Sequence, residues 1–187
     1  CVYCYARPTH NYWGYSAGDE FEQVVLVKTN ALEVLKAELN KRNHVVKPLV
    51  LSGNTDCYQP AERKYRITRG ILELMLEWKH PVSIITKNAL IIRDLDLLES
   101  LNSLNLCSVA VSVTASNDDT RRIMEPRAST IESRLKTIRS LSEKGIPVHA
   151  MLAPIIPGIN DAEISRMVKL VAENGAQSAS YQIVRLN

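Results

Sequence analysis

Short apolar runs alternate along the chain with longer stretches in which apolar residues recur every three or four positions. The runs are Val24–Val27, Leu49–Leu51, Val82–Ile85, Ser108–Val113, Val148–Leu152 and Ala179–Val184. They are brief, almost continuous in apolar character and rich in Val and Ile, the signature of parallel strands covered on both faces. Between them, Leu32, Leu35 and Leu39 share one helical face. Ile67, Ile71, Leu74, Met75 and Trp78 share another, as do Ile91, Leu95, Leu98 and Leu101. Ile131, Leu135, Ile138 and Leu141 repeat the spacing, and Ile164, Met167, Val168 and Val171 close the series. Asn30-x-x-Glu33 and Asn160-x-x-Glu163 read as capping boxes with Asn at the cap. Gly145 and Gly175 stand just past helix ends, where a left-handed residue is wanted, and Pro147 opens the next strand. Residues 5–20, polar and aromatic with Pro8, Gly14 and Gly18, read as a loop.

Repeated strand–helix units predict parallel strands joined by right-handed crossovers. A closed or partial (β/α) barrel and an open doubly wound sheet both fit. No G-x-G-x-x-G follows the first run, which weakens the dinucleotide-binding version of the open sheet. In either architecture the chemistry collects at the carboxyl ends of the strands. Those ends carry Ser52-Gly53-Asn54-Thr55-Asp56, Thr86-Lys87-Asn88, Ser112-Val113-Thr114-Ala115-Ser116 and Ala153-Pro154-Ile155-Ile156-Pro157-Gly158, and the last run leads to Arg185. Ser, Thr, Asn, Asp and Gly are also the ordinary turn and cap residues of such loops, so the set says more than any member.

Composition adds bounds. The chain has 187 residues, the size of one domain. Apolar residues make up 45% and aromatics only 5%, with a single Phe, Phe21, so aliphatic side chains must build the core. Lys and Arg number 23 against 20 Asp and Glu, a net +3 too slight to signal nucleic-acid binding by itself. No apolar run reaches 18 residues and no targeting segment is evident, so a cytoplasmic protein without membrane attachment is expected.

The cysteines are Cys1, Cys4, Cys57 and Cys107. Cys107, in LCSVAV, reads as a small buried hydrophobe. Cys57 falls at the expected mouth of the site, either as an inert loop thiol or as a weak candidate for a catalytic hydrogen-atom donor. Cys1 and Cys4 form a C-x-x-C suited to a metal or redox site. Zinc needs four ligands, and neither a second C-x-x-C nor an H-x-x-x-H is present; His10, His44, His80 and His149 are scattered. A thioredoxin-type pair would follow a strand. An iron–sulfur cluster needs only three thiolates if one iron is left open. A chain that begins with a Cys inside such a motif is expected to continue upstream.

C-V-Y-C-Y, with an aromatic before the second Cys, resembles the end of the Cys-x3-Cys-x2-Cys loop of radical S-adenosylmethionine (SAM) enzymes. The segments SGNTDCYQPAE, ITKNALIIRDLDLL, SVTASND, MEPRAST and APIIPGIND extend the resemblance over nearly the whole chain. It is nearest the branch of spore photoproduct lyase and the DNA repair photolyase-like proteins. The resemblance implies an α/β fold, a partial (β/α)6 TIM-like barrel of parallel strands. Residues 1–187 would be its core domain, with the first strand and part of the cluster loop lying upstream. It implies a 4Fe–4S cluster held by Cys1, Cys4 and a third Cys four positions before Cys1. It also implies reductive cleavage of SAM to methionine and a 5′-deoxyadenosyl radical, an electron donor such as flavodoxin or ferredoxin, and nucleic-acid repair or modification by analogy.

Carried onto this chain, the resemblance places Tyr3 near the adenine. Ser52, Gly53, Asn54 and Thr55 stand where the family holds the SAM amino group, without its Gly-Gly-Glu form. Lys87 and Ser112 match positions meeting the SAM carboxylate and ribose, and Pro154 lies in the segment flanking the adenine. Arg127 is a candidate carboxylate clamp, since a guanidinium pairs bidentately with carboxylates.

Two other readings stay open. One is a nucleic-acid-binding barrel without radical chemistry, for which Arg63, Lys64, Arg66 and Arg69 supply charge and Tyr12, Trp13 and Tyr15 stacking surfaces. The same residues also suit a solvated helix face and a loop. The other is a zinc or redox C-x-x-C protein.

Overall fold

Five of the apolar runs become strands in a computed structural model that describes residues 1–185. They are β1 (Leu49–Leu51), β2 (Val82–Thr86), β3 (Cys107–Ser112), β4 (Val148–Ile155) and β5 (Ser178–Ile183). All pair in parallel, in the order β1-β2-β3-β4-β5. That order decides between the two architectures. A doubly wound sheet reverses its strand order midway and so places helices on both faces. Here the order never reverses, so right-handed crossovers deposit every helix on the same side. The result is the wall of a partial barrel.

The helices are α1 (Glu20–Gln23), α2 (Ala31–Leu39), α3 (Glu62–Tyr65), α4 (Ile67–Glu77), α5 (Leu95–Ser103), α6 (Asp118–Met124), α7 (Ile131–Glu143) and α8 (Ile164–Glu173). Their apolar stripes meet one set of strand residues. Ile84, Val109, Val111, Val148, Ala150 and Leu152 bury against Leu72 and Met75 of α4, Leu98 and Leu101 of α5, Ile138 and Leu141 of α7, and Met167 and Val171 of α8. Gly145 and Gly175 close α7 and α8 with φ of 70° and 96°, the left-handed ending their positions predict.

The opposite face mixes small and polar side chains with a few aliphatic ones. Val50, Ser83 and Ser108 lie in one register row, Ile85, Ala110, His149 and Ser178 in another, and Ser112, Met151 and Ser180 in a third. The Ser83 and Ser108 hydroxyls are 3.1 Å apart. His149 bonds Ser178 at 2.8 Å and Ser180 at 2.7 Å. The expectation of strands covered on both faces is therefore corrected: among the described residues, helices cover one face only.

Three local expectations also change. Val24–Val27 is not a strand; it runs along the surface, with Val25 and Leu26 exposed and the Val24 carbonyl 3.0 Å from His10 Nε2. A four-residue apolar run with no strand beside it has nothing to pair with. Within the expected loop 5–20, Arg7–Trp13 winds into a 3-10 helix ended by Gly14 at φ 77°. Neither capping box forms, because Asn30 makes no side-chain cap and Asn160 and Glu163 are engaged elsewhere.

Candidate active site

The Cys-rich loop and the ends of β2 and β3 meet at one carboxylate, Glu125, the residue that follows α6. Its side chain is completely buried. It accepts hydrogen bonds from the Lys87 ammonium at 2.7 Å, from the Tyr3 hydroxyl and from the Arg134 guanidinium. Burial disfavours the charge, but Arg134 and then Lys87 outweigh it and hold the carboxyl at about 2. Arg134, on α7, is itself fully buried and spends its other N–H groups on the carbonyls of Ser129 at 3.0 Å and Ser112 at 3.1 Å. Each nitrogen of the guanidinium thereby has an acceptor, as a buried charge requires.

Lys87 follows β2 directly. Its ammonium reaches Glu125, the Tyr3 oxygen at 3.1 Å and the Cys1 Sγ at 3.7 Å, and sits 5.3 Å from the Tyr3 ring centroid. Tyr3 is held as a neutral phenol: burial, then the Glu125 charge, push its ionisation far above the ordinary value. The Val2 amide donates to the Met124 carbonyl at 3.1 Å, stitching the loop to α6. Cys1 is exposed and Cys4 half-buried, one tight turn apart, with the Cys4 amide 3.4 Å from the Cys1 carbonyl.

Asp56 fixes the backbone beneath Lys87. It accepts from the Lys87 amide at 2.9 Å, the Thr86 hydroxyl at 2.7 Å and the Tyr58 amide at 2.9 Å. Ser52 adopts a left-handed φ of 77°, and its hydroxyl accepts from the Cys57 amide at 2.8 Å. The Gly53 carbonyl accepts from the Tyr5 hydroxyl, tying this loop to the Cys loop, while Gly53, Asn54 and Thr55 face solvent. Burial pushes the Cys57 thiol up to about 12, so at neutral pH it is a protonated, packed side chain.

Cys1, Tyr3 and Lys87 thus come together, and Ser112, the last residue of β3, joins them through Arg134. Pro154 lies at the end of β4, where its carbonyl and that of Thr114 accept from the Asn160 amide at 3.0 and 2.8 Å. Arg127 stands apart: its side chain is 79% exposed and its nearest carboxylate is Glu22, at 3.8 Å. Glu163 bonds the Ser116 amide at 2.5 Å, Asn117 at 3.1 Å and Thr120 at 2.6 Å, joining the loop after β3 to the start of α8. A groove of about 600 Å³ lies between α7 and α8, lined in part by Arg139 and Arg166, and shares none of the Cys-loop residues.

Glu125, Arg134 and Asp56 carry the polar contacts that hold these loops together, a part that sequence pattern alone does not assign them. Arg134 leaves a trace: it occupies the position between Ile131 and Ile138 on the core-facing stripe of α7, where a charge must be paired. Asp56 stands in the strand-end run after Leu49–Leu51 and Glu125 in the MEPRAST segment, but acidic residues at helix ends and in βα loops are ordinary, and nothing local shows that Glu125 is buried or what either residue bonds.

The donor chemistry can be weighed against an iron–sulfur cluster. Two thiols on one turn beside an ammonium suit a soft, anionic metal cluster. Among the described residues no group of three or more metal-ligating side chains converges, so the chain presents two donors of the three such a cluster needs. The Thr114 hydroxyl, fully buried two residues past the end of β3, has no hydrogen-bond partner among the described residues.

A sequence model described as the Radical SAM superfamily matches residues 1–171. The chain belongs to the radical SAM superfamily. An uncharacterized protein of Mycobacterium tuberculosis is 35% identical over 178 residues, 94% of this chain and 52% of its own length. One from Methanocaldococcus jannaschii is 31% identical over 163 residues, 87% of this chain and 58% of its own. The radical SAM chain spans about half the length of the curated relatives it matches. Among solved structures, a spore photoproduct lyase variant with bound AdoMet and dinucleoside spore photoproduct superposes with a TM-score of 0.63 at 16% identity, covering 100% of this chain and 54% of that one. Spore photoproduct lyase complexed with dinucleoside spore photoproduct gives a TM-score of 0.61 at 16% identity, over 97% and 51%. These likenesses establish the partial-barrel fold.

Proposed function

We propose that this domain is the SAM-cleaving core of a radical SAM enzyme. The observation that carries the proposal is the meeting of the Cys1–Cys4 turn with Lys87 at the strand ends of a superfamily member. Cys1 and Cys4 would hold a 4Fe–4S cluster with a third thiolate. When bound, the cluster supplies the electron for reductive cleavage of SAM to methionine and a 5′-deoxyadenosyl radical, which takes a hydrogen atom from substrate. The chain's own residues bind and orient: Lys87 receives the SAM carboxylate, Ser112 the ribose, and the Ser52–Thr55 loop the amino group. Tyr3 and Pro154 flank the adenine, and Arg127 remains available as a carboxylate clamp. A cytoplasmic setting with a flavodoxin- or ferredoxin-type donor fits a reductive enzyme; no described helix is long and apolar enough to cross a membrane.

The substrate class we propose is nucleic acid. Supporting it are the exposed Tyr12 and Trp13, 88% and 70% accessible, and the exposed cations Arg63, Lys64 and Arg66. Arg69 leaves this set because it is committed to Asp94 and Asp96 at 3.0 and 2.8 Å. The test is anaerobic reconstitution of the full-length protein with iron and sulfide. Visible iron–sulfur absorbance and dithionite-dependent release of 5′-deoxyadenosine are expected. Reconstitution without cluster uptake, or zinc bound in its place, overturns the reading. Oligonucleotide affinity falling steeply with salt supports the substrate class; affinity absent at low salt refutes it.

A further inference from the structure

Lys87 carries three N–H donors on a long side chain with four rotatable bonds, and such a side chain does not hold one direction unaided. Here two of the donors are taken by Glu125 at 2.7 Å and Tyr3 at 3.1 Å, and the third faces the Cys1 sulfur at 3.7 Å. Glu125 in turn is immobilised from beneath by Arg134, which is anchored on the Ser112 and Ser129 carbonyls. The chain of contacts therefore runs from α7 and the last residue of β3, through one buried carboxylate, to the ammonium and the Cys turn.

We propose that Glu125 is the positioning residue of the cofactor site. It presets the Lys87 ammonium beside the Cys1–Cys4 turn before any ligand arrives and fixes that turn, through Tyr3, to the same point. The proposal rests on the reading of Lys87 as the group that receives the SAM carboxylate. A preset, partly exposed ammonium binds a carboxylate without the entropy cost of ordering the lysine at that moment, through the N–H that faces sulfur rather than an oxygen acceptor. Glu125 touches neither the proposed cofactor nor the reacting atoms and acts through Lys87 and Tyr3. The second oxygen of the Glu125 carboxylate faces Arg134, so the negative charge of Glu125 is shared between two cations and does not repel a further anion.

The experiment compares the full-length wild type with Glu125→Gln, Glu125→Asp and Lys87→Met. The first readout is competitive acylation of lysines by an N-hydroxysuccinimide ester, quantified by mass spectrometry with the exposed Lys41 and Lys169 as internal references. The second is equilibrium binding of SAM without reductant. In Glu125→Gln the ammonium loses its carboxylate, and Lys87 labelling is expected to rise about tenfold relative to the references, with SAM affinity falling about tenfold. Glu125→Asp keeps the charge that Arg134 needs but withdraws it from Lys87 by one methylene. It is expected to show the same rise in labelling, and it carries the test if the Gln variant does not fold. Unchanged Lys87 labelling in either folded variant overturns the proposal. If labelling rises but Lys87→Met binds SAM as well as wild type, Glu125 still positions Lys87, and it is the assignment of Lys87 to the SAM carboxylate that fails.

Discussion

Glu125 and Arg134 form an ion pair in which neither side chain has any solvent exposure. A pair of this kind contributes little net energy compared with an apolar replacement, but losing one partner strands a charge in a medium that cannot solvate it. Arg134→Met is therefore expected to destabilise the domain by about 3–5 kcal/mol in urea unfolding. Glu125→Gln combined with Arg134→Met is expected to recover part of that loss. A double variant less stable than Arg134→Met alone contradicts the pairing.

The same carboxylate gives the stability a defined pH response. Glu125 is held at about 2, below the ordinary value of 4.5. Its stabilising contribution is therefore complete above the ordinary value and disappears as pH falls toward 2. The magnitude is about 3 kcal/mol, from a depression of roughly two and a half units at 1.36 kcal/mol each. The stability difference between wild type and Glu125→Gln should be constant above pH 5 and shrink between there and pH 2. A difference that persists unchanged at the acid end rules out this assignment.

Thiol chemistry separates the four cysteines. Cys1 is exposed on the turn, whereas burial pushes Cys57 and Cys107 each up to about 12. Iodoacetamide at pH 8 should alkylate Cys1 promptly and leave Cys57 and Cys107 unmodified until the protein unfolds, as read by peptide mass spectrometry. Rapid native-state labelling of Cys57 would restore it as a reactive group at the mouth.

Asp56 receives three hydrogen bonds, two of them from residues at the end of β2. Asp56→Ala leaves those donors short of a partner and is expected to cost about 2 kcal/mol. It should also weaken SAM binding, because the Lys87 backbone loses its anchor. Normal SAM affinity in a folded Asp56→Ala protein argues that the β2 end holds its shape by other means.

Gly175 tests the wall rather than the site. Its φ of 96° is closed to ordinary side chains, and an added Cβ collides with the Ser142 side chain. Gly175→Ala should lower stability by more than 1 kcal/mol. Gly175→Ala with Ser142→Gly should recover the part due to the collision, with SAM affinity unchanged throughout.

The barrel wall is largely legible in the sequence because its strands are short, aliphatic and regularly spaced. The run Val82–Ile85 and the stripe Ile131, Leu135, Ile138 and Leu141 could hardly fold otherwise. Val24–Val27 has the same composition, and only the absence of a strand beside it distinguishes it. Asn30 and Asn160 show the limit of motif spacing. Asn160 satisfies its cap-like pattern yet is drawn to the Thr114 and Pro154 carbonyls, which no local window contains. At the site, Cys1, Tyr3 and Lys87 are legible through a resemblance of motifs. Glu125 is not, since burial of a charge is decided by elements distant in sequence: Tyr3 lies 122 residues away along the chain and Lys87 38.

The inner face of the sheet sets small side chains, Ser83, Ser108, Ala110, Ser178 and Ser180, among the larger Val50, Ile85, His149 and Met151. A wall of this kind shapes the hollow together with whatever stands on its rim. Within such a scaffold, diversification is cheap: one bulky substitution on the wall, or a change in a single βα loop, alters what fits without disturbing the aliphatic layer behind it. The buried charges and backbone contacts that set the rim, Glu125 with Arg134 and Asp56 with the end of β2, lie outside that wall and would keep their places through such a change.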